Sequence, residues 1–390
     1  MTTAITSIAE LNVTLRRARV TIPVTSFEQK FLDLPDKSVA EPFRRLLIIK
    51  PLSRNDPGVI EFCNKQRERQ QTQQTSFYVE RYQRTIAAIS QDQGGIFEGN
   101  RVRRFFDLGY SPGGFSSWLL NRNPSARGVG IDKNASEGSM LENEAGRYTI
   151  RTEDIITLVL QSVENGEDPI IPLAANDGDG SANHYDLVIA GAFPVGEGHI
   201  EWWIRLQLVL SQLLLVLINT TQGGASIILV NTKPFCWMAE EIGILRHSFE
   251  QLTAKKGDTH KKSSSCYLIC TGFRASMEDV QKYGAWIKKM LVRLQARSRE
   301  EGAGRVFDAE LTMPTISGRT FDEIFDSEHQ KVLELFTEPW NIQYKALKGM
   351  FENIISKNAA SPTSAKSFWG SASAPAGRNR GAGADSDSWL

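Results

Sequence analysis

Between Arg104 and Asp132 the chain reads RFFDLGYSPGGFSSWLLNRNPSARGVGID, and here residue types and spacing could do chemistry. Phe105, Phe106 and Leu108 predict a short strand, and the run after Gly114 predicts an amphipathic helix. Gly109, Gly113 and Gly114 allow positive φ and let a ligand approach the backbone. The helix opens with free N–H groups. Asp132 lies 23 residues after Gly109, at the tip of a second strand, where a carboxylate can accept both hydroxyls of a ribose.

The glycine spacing excludes a dinucleotide fingerprint. G-Y-S-P-G-G lacks the G-x-G-x-x-G pattern, and Pro112 removes an N–H that a pyrophosphate would use. A ribose and adenine without a phosphate fit better, which points to S-adenosyl-L-methionine. DLGYSPGGFSSWLL resembles the first motif, D-L-G-x-x-P-G-G-[FW]-[ST], of the FtsJ-like (RrmJ-type) RNA ribose 2′-O-methyltransferases. The resemblance covers about residues 104–273. It implies that Asp107, Gly109, Ser111, Pro112, Gly113, Gly114, Phe115, Asp132 and Asp154 bind the cofactor, Asp154 through the adenine amino group.

The family is known for a catalytic K-D-K-E set, in which a lysine held near an acid handles the proton of the ribose hydroxyl. GGASIILVNTKPF is similar to the segment that carries the second lysine, so Lys233 is the catalytic candidate. The segment D-L-V-x-S-D-x-A-P corresponds to Asp186-Leu-Val-Ile-Ala-Gly191-Ala-Phe-Pro194, which puts Gly191 in the place of the acid. Ser265 replaces the glutamate. For the first lysine the chain offers Arg81 or Arg84, and arginine cannot serve as a base. Two readings follow. One is a divergent methyltransferase built around Lys233, and the other a catalytically degenerate domain that binds cofactor, RNA or a protein.

The elements that must position these residues alternate strand and helix from 104 to 273, the pattern of a doubly wound, Rossmann-like parallel α/β sheet. The predicted strands include Tyr148–Arg151, His184–Ala190, Ala225–Val230 and Cys266–Thr271. Helices are expected over about 201–221 and 238–252, with an acidic insertion loop over 161–183 and a basic loop carrying Lys255, Lys256, His260, Lys261 and Lys262. Residues 1–95 read as an N-terminal extension of mixed strand and helix, with a strand at 44–50 and turns at Pro51 and Pro57. Residues 96–275 form the FtsJ-like methyltransferase domain, 276–357 a helical C-terminal region and 358–390 a disordered tail rich in Ala, Ser, Gly and Pro.

Lys plus Arg and Asp plus Glu both number 45, so net charge argues neither for nor against nucleic acid. RNA is implied as partner by the resemblance. Arg101, Arg103, Arg104 and the 255–262 lysines are candidates for its backbone, and Trp202 and Trp203 for a base or for the core. Cys63, Cys236, Cys266 and Cys270 have no metal spacing and read as reduced, buried thiols. The run 204–218 falls short of a membrane span, and no secretory pattern opens the chain. The expectation is an intracellular protein of cytoplasm or nucleus, without metal or membrane.

Overall fold

The computed structural model describes residues 5–20, 22–71, 75–133, 146–173, 184–194, 200–298 and 315–360. A seven-stranded sheet runs through its middle: β1 (Arg104–Leu108), β2 (Arg127–Asp132), β3 (Tyr148–Thr152), β4 (Tyr185–Ala190), β5 (Thr220–Asn231), β6 (Phe249–Lys255) and β7 (Ser265–Phe273). Their order is β3-β2-β1-β4-β5-β7-β6. The first five are parallel; β7 pairs antiparallel with both β5 and β6. The sheet is therefore mixed at one edge, where the sequence pattern predicts parallel strands throughout.

Side chains of the inner strands alternate between two cores, as a sheet covered on both faces requires. Phe105, Leu187, Ile189, Ile227 and Ile269 face the core shared with α5 (Thr75–Asp92) and α6 (Gly114–Arg122). Phe106, Val188, Ile228 and Leu268 face a larger core. That face is covered by α7 (Ile155–Glu164), α8 (Trp202–Asn219), α9 (Cys236–Ser248), α10 (Met277–Ser298) and α11 (Phe321–Ala360). By length and composition α8 would pass as a membrane span, but most of it is buried inside the protein.

The segment read as a strand at 44–50 is helical. It belongs to α3 (Glu41–Asn55), which Pro42 opens and which continues through Pro51. Its apolar run, Leu46, Leu47, Ile48 and Ile49, is buried on more than one side and shows no clean period, so a buried helix looks like a strand. Phe43 of α3 meets Trp340 of α11 at 5.1 Å between ring centroids. The other N-terminal elements are also helices: α1 (Ile8–Arg17), α2 (Ser26–Leu32) and α4 (Pro57–Gln71, starting at a proline read as a turn).

The helix expected over 238–252 ends at Ser248, and Phe249–Lys255 is an edge strand. Phe249 and Leu252 are the strand's buried positions, and their three-residue spacing mimics a continuing helix. Residues 161–164, expected in a loop, form the last turn of α7. The loop reading for 174–183, and the tail from 361 on, fall outside the described residues. Trp202 and Trp203 are buried core residues, edge-on to each other at 5.8 Å.

Candidate active site

The C-terminal ends of β1 to β6 and the start of β7 lie along one edge of the sheet, because β6 pairs antiparallel with β7 and so runs with the parallel strands. Ligands of open α/β sheets bind outside this edge. It carries Gly109, Asp132, Asp154, Gly191, Lys233, Lys256 and Ser265. The edge divides into an acidic end, at β1–β3, and a lysine end, at β5, β7 and β6.

At the acidic end, Asp107 closes on Ser116, whose Oγ donates to Asp107 Oδ2 at 2.5 Å and lies 2.8 Å from Tyr148 Oη. Burial pushes the Asp107 carboxyl up to about 7; the Ser116 hydrogen bond opposes this and the Asp132 charge adds to it. Gly109 has φ of 75°, and a Cβ there would stand 2.5 Å from Ala192 Cα. Only glycine lets the turn after β1 pass the turn after β4 this closely. Gly113, at φ 95°, caps α6. The backbone N–H of Ser111 donates to Asp132 Oδ2 at 3.3 Å, which ties the glycine turn to the tip of β2.

Gly114 differs from the sequence reading. It is helical, and a Cβ there would meet Tyr82 Cβ at 2.5 Å and Val79 O at 2.7 Å. Its lack of a side chain serves the contact between α5 and α6. Asp154 caps α7 by accepting from Thr157 N at 2.9 Å and pairs with Lys133 at 3.0 Å. Burial works to raise its carboxyl, but the Thr157 N–H and Lys133 outweigh it and hold the group below its ordinary range.

A cleft enclosing about 430 Å³, counted with its space open to solvent, runs along this edge. It brings together Asp107, Gly109, Ser111, Pro112, Gly114 and Phe115 with Gly191, Phe193, His260 and Tyr267. Gly113, Asp132, Asp154 and Lys233 do not line it. A Cβ at Gly191 would meet only Leu108 O, at 3.6 Å, so the cleft is open where the family pattern has an acid.

The lysine end was mostly hidden in the sequence. Lys50 of α3, 6% exposed, donates from Nζ to Ser264 Oγ at 2.7 Å. Burial lowers its amine well below the usual range; Lys233, Lys256 and Arg54 push the same way and Glu28 opposes them. Burial also lowers Lys233, with Glu28 opposing and Arg54 and Arg205 adding to it. Lys256, expected as a solvated loop charge, is buried and donates to Ser263 O and Ser265 O at 2.5 and 2.7 Å; burial pushes it down to about 8. Burial, with Lys256 and Arg81, holds the His260 imidazole near 4, and its Nε2 lies 3.3 Å from Tyr267 Oη. The remaining loop lysines are surface groups: Lys255 pairs with Asp92, Lys261 with Asp258, and Lys262 sits 5.4 Å from the Phe62 ring centroid.

Helix α11 holds this end in place. Trp340 Nε1 donates to Thr232 O at 2.8 Å, and Gln343 Nε2 donates to Lys262 O at 2.9 Å. Arg81 and Arg84, the only candidates the sequence offered beside Lys233, belong to α5, and Arg81 donates to Asp258 O. Lys50 lies 214 residues from its partner Ser264, and no local pattern signals that contact. Among the described residues no cluster of His, Cys, Asp and Glu can hold a metal, and none of the four cysteines is in a disulfide.

Residues 87–273 match the FtsJ-like methyltransferase family. This stretch is an FtsJ-like methyltransferase domain. It contains the whole sheet and most of the cleft, while Lys50, Glu28 and α11 lie outside it. Similar solved structures include a ribosomal RNA methyltransferase of Plasmodium falciparum, with 16% identity over 49% of this chain and 97% of that one and a TM-score of 0.33. Others are the T. thermophilus 16S rRNA methyltransferase RsmC in complex with AdoMet and guanosine (17%, 48% and 41%, 0.29) and human methyltransferase-like protein 13 in complex with SAH (13%, 59% and 98%, 0.28). No curated protein matches the chain.

Proposed function

We propose that this protein transfers a methyl group from S-adenosylmethionine to a ribose 2′-hydroxyl of RNA. The observation that carries the reading is a buried lysine, Lys50, with half-buried Lys233, at the sheet edge that also carries the glycine turn. The family membership of the domain supports the methyl donor, and the cleft fits it: the Gly109 turn leaves its backbone bare, and Gly191 leaves the floor open. In this reading Asp107, Gly109, Ser111, Pro112 and Phe115 hold the cofactor within the cleft, with Gly113, Asp132 and Asp154 beside it. The bound cofactor supplies an electrophilic methyl on its sulfonium.

The chain's own contribution is to the proton. An alcohol becomes a usable nucleophile when a neutral base takes its proton as it reacts. Burial and neighbouring cations shift Lys50 toward the neutral amine, which has a free lone pair. Lys50 fills the role of the first lysine, which no residue close before the glycine motif could fill, and its ammonium form holds the proton afterwards. Lys233 orients the hydroxyl. The position-191 acid of the family pattern would keep such lysines charged; its absence leaves burial and the surrounding charges to set their state.

The test is transfer of labelled methyl from S-adenosylmethionine into RNA, followed by alkaline digestion. A 2′-O-methyl blocks cleavage at its own phosphodiester, so label in alkali-resistant dinucleotides is the expected result. Label in mononucleotides, or none in any RNA offered, contradicts the reading.

A further inference from the structure

We propose that Phe193, on the turn after β4, is a stacking platform for an unpaired RNA base and so restricts this site to single-stranded nucleotides. The reaction that follows stacking rests on the methyl-transfer reading; the stacking itself does not.

A single exposed phenylalanine is ordinary on a protein surface. This one borders the cleft, together with Tyr82, Tyr110, Phe115 and Tyr267. Tyr110, Phe115 and Tyr267 are buried, whereas Phe193 is 49% exposed. Among the exposed large apolar side chains of the described residues, it alone lines the cleft. The family pattern D-L-V-x-S-D-x-A-P has alanine at this place, so the ring is this chain's own addition.

The exposure is not that of a slack loop, because the backbone before the ring is held from two sides. Gly191 N donates to Leu108 O at 2.9 Å. Gln212 of α8, 4% exposed, grips Ala192 twice: its Oε1 accepts from Ala192 N at 2.9 Å and its Nε2 donates to Ala192 O at 3.0 Å. A buried amide in an apolar helix persists where its hydrogen bonds are met. Here both of them fix the residue that precedes Phe193. A Cβ at Gly191 would meet only Leu108 O, so a flat group has room beside the ring.

The occupant follows from the place of this turn in the sheet. In the order β3-β2-β1-β4-β5, Phe193 comes just after β4. Neighbouring strands lie about 4.8 Å apart, which puts β4 roughly 10 Å from β2 and roughly 14 Å from β3. Asp132 ends β2 and Asp154 follows β3, and the cofactor's ribose and adenine belong there in the proposed placement. Phe193 therefore stands on the other side of the glycine turn, toward β5 and Lys233. The group that enters from that side is the nucleotide to be methylated. Every base has a π face, so an aromatic platform accepts unpaired nucleotides without choosing a sequence. Bases stacked within a duplex have no face to offer it.

The probe is an oligoadenylate, alone and paired with oligouridylate, bound to the full chain at fixed salt and followed by fluorescence anisotropy. Phe193→Leu keeps an apolar side chain without a π face, and Phe193→Trp enlarges that face. The position is exposed, so both variants are expected to fold, and an unchanged melting transition checks this. Phe193→Leu should bind the single strand about tenfold more weakly, and Phe193→Trp at least as tightly as wild type. Binding of the duplex and of S-adenosylmethionine should stay the same in both. In methyl transfer, Phe193→Leu should raise the KM for RNA and leave the KM for the donor. Wild-type affinity for oligoadenylate in Phe193→Leu overturns the proposal, as does an equal loss on the duplex or a wild type that binds no oligoadenylate. Weakened S-adenosylmethionine binding would assign the ring to the cofactor and overturn it too. A wild type that shows the stacking and transfers no methyl counts against the function and leaves the platform standing.

Discussion

The two ends of the sheet edge are built in opposite ways. The acidic end is more local: β1, the glycine turn, α6 and β2 occupy Arg104 to Asp132, and the contact of Ser111 with Asp132 spans 21 residues. The lysine end is assembled from a distance, Lys50 with Ser264, Trp340 with Thr232 and Gln343 with Lys262. Burial acts on both and shifts each toward neutrality, Asp107 upward and the lysines downward. A local turn can hold a cofactor with backbone alone, whereas stacking cations in a dry site needs walls from several elements. Those walls are the helices that flank the matched domain.

The largest expected effect breaks the acidic end alone. Gly109→Ala forces a Cβ into the left-handed region and against Ala192, at a cost of about 3 kcal/mol. Thermal unfolding and S-adenosylmethionine titration should both register it, with the melting transition falling and binding lost. A Gly109→Ala protein that binds and melts as wild type would mean that the two turns do not meet so closely.

Stability against pH separates the ends by sign. Asp107 has a folded pKa raised from 3.8 to about 7, so the folded chain holds the extra proton and stability falls as pH rises across that window. Glu241, raised by burial from 4.5 to about 8, adds to the same slope. Lys256 is lowered from 10.5 to about 8, so the folded chain lacks the proton and stability rises again from about 8 to about 10.5. These groups together place a trough near pH 7 to 8. Denaturant unfolding should show Asp107→Asn flattening the acid arm and Lys256→Met the alkaline arm, each by on the order of 2 kcal/mol. Arms unaffected by these substitutions would show that the groups are not buried as described.

The smallest effect sharpens the role of α11. Trp340→Phe keeps the ring and removes the donor to Thr232 O, which costs about 1 to 2 kcal/mol for a buried carbonyl left unpaired. Methyl transfer should slow several-fold at saturation, with cofactor affinity unchanged. A change in cofactor affinity instead would tie α11 to the acidic end.

What the sequence made legible follows the same division. The glycine turn, the place of Asp132 at the tip of β2 and the parallel strands β1 to β5 could be read because each rests on short-range rules of period and turn chemistry. Gly114 was read for the wrong reason, since its missing Cβ answers to Tyr82 on a helix thirty residues earlier. Phe249 and Leu252 sit at helical spacing in an edge strand, so β6 was lost. Leu46 to Ile49 form an apolar run without a period, so α3 was taken for a strand and Lys50 for its end. With the helix misread, nothing pointed that lysine at the sheet edge.

The most direct measurement pairs cofactor binding with single-turnover methyl transfer in Asp132→Ala and Lys50→Met. A site divided as described gives Asp132→Ala weak binding. It gives Lys50→Met wild-type affinity for S-adenosylmethionine and a transfer rate lower by about 100-fold or more. A Lys50→Met protein that transfers at the wild-type rate would contradict the account, because the lysine end would then play no part in the chemistry.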